Sequence, residues 1–427
     1  MSDIDTAKVV KQKKSMEKII QNAMAPAALL ILYLFFGFFG RNFFSYPTFV
    51  NIIEASYYLG FLSVGVTFVI ITGGIDLSVG GVMMAAAIIG GTAYKTWGWS
   101  MEVSLVLIIV VALAFGIFNG IMVSRLKMPP FIVTLGTMMI SMGTGSIVSN
   151  VRSATFPSRV NPDGWFKNIF KIITENRKMI PTGAFVLLAV VIISYLILSK
   201  TKMGRYIYAI GSNREAARLS GVNVKRWEMS AYVVAGLCAG IGGIGFAATY
   251  TTVMPAQGQG FELFAIAGAV IGGTSLRGGS GSVWGTLIGV FIMAVLRTGL
   301  PSMNLQAHYQ TFFTGVVVIG AVLLDMYRTR KATEVKLVRP SDRYKGSVLE
   351  KIGKLRKEKK DAARSGNVDR ASEIAREIRS LKQEMRSTYA KMKADEKAEE
   401  KRIRAKERAT EREFQEELRQ QQQNQDN

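Results

Sequence analysis

The chain has 427 residues, with 53 Lys and Arg against 31 Asp and Glu, one His and one Cys. A net charge of +22 raises nucleic acid as a partner, but 49% of the residues are hydrophobic and apolar runs such as 103–120 and 185–198 place that charge beside a membrane instead, so no nucleic acid is expected. One Cys and one His exclude an internal disulfide and a His/Cys zinc site, and Cys238, in a Gly/Ala-rich run, reads as a buried structural thiol.

Residues 1–24 are a polar N-terminal segment carrying Lys8, Lys11, Lys13 and Lys14. The next run, Leu29–Phe44, is aromatic and has no small-residue cleavage site, which makes it an uncleaved first span and not a signal peptide. Ten stretches are long and apolar enough, or nearly so, to cross a hydrocarbon core: 25–44, 52–72, 77–94, 102–123, 130–149, 180–199, 228–250, 262–276, 282–300 and 309–326. Three of them, 77–94, 262–276 and 282–300, are interrupted by glycine. The expected fold is all-α: a polytopic membrane helix bundle of about ten spans over 25–327, followed by a charged helical tail over 328–427.

Charge orients the bundle. With the N-terminus inside, the basic clusters Arg125/Lys127, Lys200–Arg226 and Arg328–Lys331 fall on the cytoplasmic side, while connections 95–101, 251–261 and 301–308 hold Lys95 as their one Lys or Arg. One loop opposes this: 150–179, placed outside, carries Arg152, Arg159, Lys167, Lys171, Arg177 and Lys178. His308 is expected in a short outer turn.

The stretch Val69–Gly80 has a loose echo in Gly268–Gly279. Aligning Gly73 with Gly272 matches Gly74 with Gly273, Leu77 with Leu276 and Gly80 with Gly279. Glycine-broken helices at corresponding places in two halves point to a transport pathway, because loose backbone at membrane depth survives only where protein or a watery cavity satisfies it. The competing reading is close helix packing, as in Gly236-x-x-x-Gly240.

No phosphate loop occurs; Gly273-Thr-Ser-Leu-Arg-Gly-Gly-Ser-Gly lacks its lysine. Acidic residues in the spans are few, with Asp76 and Glu54 near expected ends, so an ion-coupled carboxylate relay is not expected. The chain has a transporter's build without its own energy source. In the loop 200–227, Asn213 is suited to cap a short helix starting near Arg214, and Gly221 to end it. That helix is expected to present Glu215, Ala216, Ala217 and Leu219, with Glu215 and Arg218 offering directional charge.

This loop resembles the ATPase-docking loop of ABC importer permeases. Gly73-Gly-Ile-Asp-Leu-Ser-Val-Gly80, Pro130-Phe-Ile-Val-Thr-Leu-Gly-Thr137 and Gly272-Gly-Thr-Ser-Leu-Arg-Gly-Gly-Ser-Gly-Ser-Val-Trp-Gly285 resemble, in order, the ribose/galactose-type sugar permeases. The resemblance covers about Ala25 to Lys331. It implies a multi-pass permease of the inner (cytoplasmic) membrane, working as a homodimer with an ABC ATPase subunit and an external sugar-binding protein. The chain itself would be no enzyme and carry no cofactor, ATP and Mg residing on the partner. Asn213, Glu215, Ala216, Ala217, Arg218 and Gly221 would couple to the ATPase. Gly73, Gly74, Asp76, Ser78, Thr134, Thr137, Gly272, Gly273 and Ser275 would lie near the pathway for a galactose/glucose- or ribose-type monosaccharide.

The tail departs from that family. Val348, Ile352 and Leu355 precede a break at Ser365–Asp369, after which Ile374, Ile378, Leu381, Met385 and Met392 form a short heptad-like stripe. Two helices around a turn are expected, closing on each other or on a second copy, with a solvated, partly disordered end beyond Lys393. The stretch Asn367–Leu381 also resembles, over that short length, the helical-hairpin motif of excision-repair and chaperone-adaptor proteins. The tail holds +10 of the net charge, its basic residues would be drawn to membrane lipid, and a regulatory or assembly role is expected of it. A reading from another class is a membrane-anchored scaffold whose basic tail binds lipid, RNA or protein.

Overall fold

The computed structural model describes residues 25–176, 178–305, 307–333, 340–365 and 367–425. The 1–24 segment expected to be cytoplasmic lies outside them. The chain divides into two compact units at Ala332/Thr333, five residues beyond the expected domain boundary.

The first unit is built around α2 (Tyr46–Ile71). Its entry is set by Ser45, whose hydroxyl accepts from the Thr48 amide at 3.4 Å, and by Pro47 in its first turn. A helix apolar on every side belongs in the interior, and the apolar window of α2 is 94% buried. Around it stand α1 (Ala25–Phe39), α3 (Val79–Lys95), α4 (Met101–Ser124), α5 (Pro130–Val148), α7 (Gly183–Lys200), α10 (Val224–Tyr250), α11 (Phe261–Ile271) and α12 (Val283–Ser302). Among the described residues six helices are long and apolar enough to cross a membrane: α2, α4, α5, α7, α10 and α12. Helices α1, α3 and α11 are shorter and apolar. Each of the ten expected stretches falls on one of these nine or on α13 (Ala307–Thr333). Helices α4, α5 and α7 leave apolar faces open, with Val106, Ile147 and Phe185 exposed, as lipid-facing helices do.

Lipid tails are as apolar as Leu, so helices in a membrane gain little from hydrophobic sorting and associate through close packing. Glycine supplies the closeness here. A Cβ on Gly116 of α4 would lie 2.9 Å from the Gly236 Cα of α10, and one on Gly289 of α12 would lie 1.9 Å from the Gly268 carbonyl of α11. The packing reading of Gly236-x-x-x-Gly240 is what is found.

At one end of the bundle β1 (Ala154–Thr155) pairs antiparallel with β4 (Thr252–Val253), while further along the same connection Gly258 packs against Gly80 near the start of α3. At this end too, the Tyr94 hydroxyl donates to Asp163 (2.8 Å) and Trp165 Nε1 donates to Glu102 (3.2 Å). The awkward loop 150–179 therefore lies with connections 95–101 and 251–261, as its place in the chain order required. It is a folded cap, with α6 (Lys167–Phe170) and the pair β2 (Ile172–Ile173) and β3 (Met179–Ile180). Three of its cations are structural: Lys171 pairs with Glu54 of α2, Arg159 donates to the Lys171 carbonyl, and Lys167 donates to Thr251 at 2.9 Å. Burial, aided by the charge of Arg159, brings the Lys167 ammonium down to about 8. Cations held this way are not the loose loop charges that orient a chain in a membrane. His308 lies not in a turn but in the first turn of α13, exposed.

The second unit is a helical hairpin. Helix α14 (Pro340–Arg364) and α15 (Val368–Gln425) close through Val348, Ile352, Ile374 and Ile378, with Leu355, Leu381 and Met385 beside them. Asn367 starts α15 by accepting from the Arg370 amide at 3.2 Å. The expected stripe thus packs within one chain as far as Met385, and past Lys393 the helix runs on to Gln425.

Candidate functional site

Helices α2 and α11 end in the same way. At the first, the Gly73 amide donates to the Ile70 carbonyl (2.8 Å) and the Gly74 amide to Val69 (3.2 Å), with Gly73 at φ +86°. At the second, the Gly273 amide donates to Val270 (2.9 Å) and the Thr274 amide to Ala269 (3.0 Å), with Gly273 at φ +96°. These are Schellman endings, which need a left-handed residue that only glycine adopts cheaply. The structural equivalent of Gly73 is therefore Gly273, one place along from the sequence alignment. Gly272 is instead the last right-handed residue, and its missing Cβ admits the Gly285 carbonyl carbon, 2.3 Å from where that Cβ would stand. The early stop also shortens α11 to Ile271, against the expected 276.

Past the first break the chain builds a buried polar chain. The Thr137 hydroxyl donates to Asn119 Oδ1 (2.6 Å), Asn119 Nδ2 donates to Ser78 Oγ (2.8 Å), and the Ser78 hydroxyl donates to Asp76 Oδ1 (2.6 Å). The Ser78 amide adds a bond of 2.9 Å to the same oxygen. Thr134 bonds the Pro130 carbonyl (2.9 Å) and reaches the Ile75 carbonyl at 3.3 Å. Asp76, Ser78, Thr134 and Thr137 are thus gathered where α3, α4 and α5 meet the break, all buried. Asn119 joins them, and the sequence reading missed it. An Asn one residue before a glycine in a long apolar helix was the available signal, because a membrane helix carries such a side chain only where it finds partners. Asp76 ends a chain of neutral donors, with no second carboxylate in it.

Around the second break the Ser275 amide donates to the Ser280 carbonyl (3.1 Å), and its hydroxyl accepts weakly from the Arg277 amide (3.4 Å). Ser275 stands in the second break and Asp76 in the first. What joins the breaks is backbone: the Gly279 amide donates to the Ile71 carbonyl at 2.9 Å, and a Cβ on Gly278 would lie 2.9 Å from the Gly73 nitrogen.

The same spot receives the end of α8 (Lys202–Ser212). A Cβ on Gly211 would lie 1.8 Å from the Ile71 carbonyl oxygen and 2.4 Å from the Gly279 nitrogen. The Tyr208 hydroxyl donates to the Gly281 carbonyl at 2.9 Å. Next in the chain comes α9 (Arg214–Leu219), as expected: Asn213 Oδ1 accepts from the Ala216 amide (2.9 Å), and Gly221 at φ +82° stands just past its end. Glu215, Ala216, Arg218 and Leu219 stand exposed, Glu215 and Arg218 bonding each other at 3.0 Å. Ala217 does not join that surface. It is buried against Ile210 and Val224, because the spacing along the helix turns it inward. A further contact was unforeseen: Arg214 grips Glu228 of α10 with two nitrogens on two oxygens.

The chain was compared with known proteins. Residues 48–322 match the family described as branched-chain amino acid transport system / permease component. The ribose import permease protein RbsC of Escherichia coli (strain K12) is 36% identical over 304 residues, 70% of this chain and 91% of that protein. The fructose import permease protein FrcC of Rhizobium meliloti is 34% identical over 310 residues, 71% and 85% of the two chains. The fructose import permease protein FruG of Bifidobacterium longum (strain NCC 2705) is 31% identical over 328 residues, 75% and 96%. No solved structure matches.

Proposed function

Because the chain belongs to the family of branched-chain amino acid transport system permease components, and ribose and fructose import permeases are among its relatives, we propose that it is the membrane subunit of an ATP-driven sugar importer. It crosses the cytoplasmic membrane ten times as one half of a homodimer, with the basic loop 200–227 and the tail inside. An ABC ATPase on separate chains supplies ATP and Mg, and an external binding protein delivers a monosaccharide of ribose, fructose or galactose type. One observation carries this reading. The end of α8 is wedged against both helix breaks, while the next helix, α9, stands exposed and ready to be gripped.

The mechanism rests on that wedge. When the ATPase pair closes, α9 moves with it through Glu215, Ala216 and Arg218. Gly211 and Ser212 then press on Ile71 and Gly279, where the two breaks are hydrogen-bonded to each other. Backbone at these breaks has few helical bonds to lose, so it is where the bundle yields. Displacement of the first break shifts Asp76 and Ser78 against Asn119, opening polar atoms to sugar hydroxyls. A weakly polar route of this kind binds sugar loosely, which suits a system whose binding protein performs capture. A simple membrane anchor has no use for a buried donor chain or for broken helices, which favours transport over the scaffold reading.

The test is reconstitution of the chain with its ATPase and binding protein in vesicles, tracking ATP-dependent uptake of labelled ribose, fructose and galactose. Uptake of one of them is expected; an assembled complex importing none overturns the reading. Glu215→Lys and Gly221→Asp should uncouple uptake from hydrolysis without loss of insertion. Cysteines at Ser212 and Thr252, in a Cys238→Ala background, should label from opposite sides. Truncation after Lys331 should leave uptake intact and alter its control or the stability of the complex.

A further inference from the structure

Helix α9 is already secured without Arg214: Asn213 caps it, Gly221 lies just past its end and Ala217 anchors it. Yet Arg214, its first residue, makes a bidentate pair with Glu228, whose side chain is 5% exposed. A carboxylate taken out of water is a poor way to add stability, because desolvation offsets most of the attraction. Bidentate geometry, in contrast, fixes direction as well as distance. One turn along α10 from Glu228 stands Tyr232, fully buried, its hydroxyl without a hydrogen-bond partner among the described residues. That hydroxyl lies against the first break: a Cβ on Gly74 would come within 2.6 Å of it. An unmade bond on a buried hydroxyl is a standing cost that a second arrangement can relieve.

Resting on the docking reading of α9, we propose that Glu228 and Tyr232 are positioning residues of the coupling step. Arg214 pulls on Glu228, and α10 carries the Tyr232 hydroxyl along the Gly74 side of the first break, where in the alternate arrangement it finds an acceptor. This side-chain strut serves the first break alone, whereas the Gly211 wedge touches both. It gives the docking helix a direct hold on the break that carries Asp76 and Ser78.

The experiment uses the full chain reconstituted with its ATPase and binding protein, and reads sugar imported per ATP hydrolysed. Co-purification of the ATPase and the melting temperature of the complex report assembly. Glu228→Gln should lower the ratio about tenfold in complexes that still assemble. The reversed pair, Arg214→Glu with Glu228→Arg, should recover to within about threefold of the natural chain. Tyr232→Phe, which removes one oxygen, should lower the ratio by about threefold or more at an unchanged or higher melting temperature. A purely structural pair would lower melting temperature and assembly while leaving the ratio in surviving complexes untouched. That outcome overturns the proposal, as does a Tyr232→Phe ratio equal to the natural one. If the natural chain never captures an ATPase, the docking reading itself fails, a separate result.

Discussion

The two helix breaks begin alike and end differently. Both α2 and α11 stop on a left-handed glycine with the same pair of capping bonds. From there the first break reaches α3 at Val79, while the second takes until Val283 to reach α12. The shorter one directs its polar side chains into the bundle, joining Asp76 and Ser78 to Asn119 and Thr137 on α4 and α5. The longer one bonds back on itself from the Ser275 amide to Ser280 and offers the Gly281 carbonyl to Tyr208 of α8. One break thus carries a buried chain of polar side chains, and the other makes the wider backbone contact with α8, whose end also meets the first at Ile71. Related helix stops were specialised by the residues after the glycine, not by the glycine.

Substitutions can break or sharpen this contrast. The largest effect is expected from Gly272→Ala, whose methyl would lie 2.3 Å from the Gly285 carbonyl and force α11 from α12; a loss of about 3 kcal/mol, read by thermal unfolding in detergent, is expected from such overpacking. Asn119→Leu comes next. It leaves the Thr137 hydroxyl without its acceptor and Ser78 Oγ without its donor, costing about 2 kcal/mol and most of the uptake. If uptake survives while stability falls, the polar chain is scaffold and the division between the breaks is wrong.

Gly73→Ala and Gly273→Ala should then cost nearly the same, about 1–2 kcal/mol each, because strain from positive φ is the main penalty at both. A Gly73→Ala cost matching that of Gly272→Ala would restore the sequence alignment over the structural one. Smaller still is the link between halves, where the Thr67 and Thr286 hydroxyls bond at 2.8 Å. A double-mutant cycle with Val at each should return a coupling of about 0.6 kcal/mol. Thr274→Val should be neutral or slightly stabilising, since the Thr274 hydroxyl is buried with no hydrogen-bond partner among the described residues.

Apolar run length, glycine spacing and charge asymmetry were enough to read an all-α membrane bundle, its helices and the short α9 with its Asn213 cap. These are local properties: twenty apolar residues, a capping side chain and a left-handed glycine carry their meaning within a few residues. The hairpin of the tail was legible for the same reason, since Val348, Ile352, Ile374 and Ile378 repeat at helical spacing on either side of one break. Tertiary structure alone decided which polar residues meet. Asn119 finds Ser78 from 41 residues away, and Arg214 finds Glu228 across the end of α9. It also set the correspondence of the breaks, because Gly272 and Gly273 look interchangeable until φ is known and until Gly285 arrives against one of them. The basic loop 150–179 belongs here too: Lys171, Lys167 and Arg159 looked free in the chain and are held by Glu54, Thr251 and a carbonyl in the fold. A sequence states what each residue needs, and only the packed bundle brings the partner that meets that need.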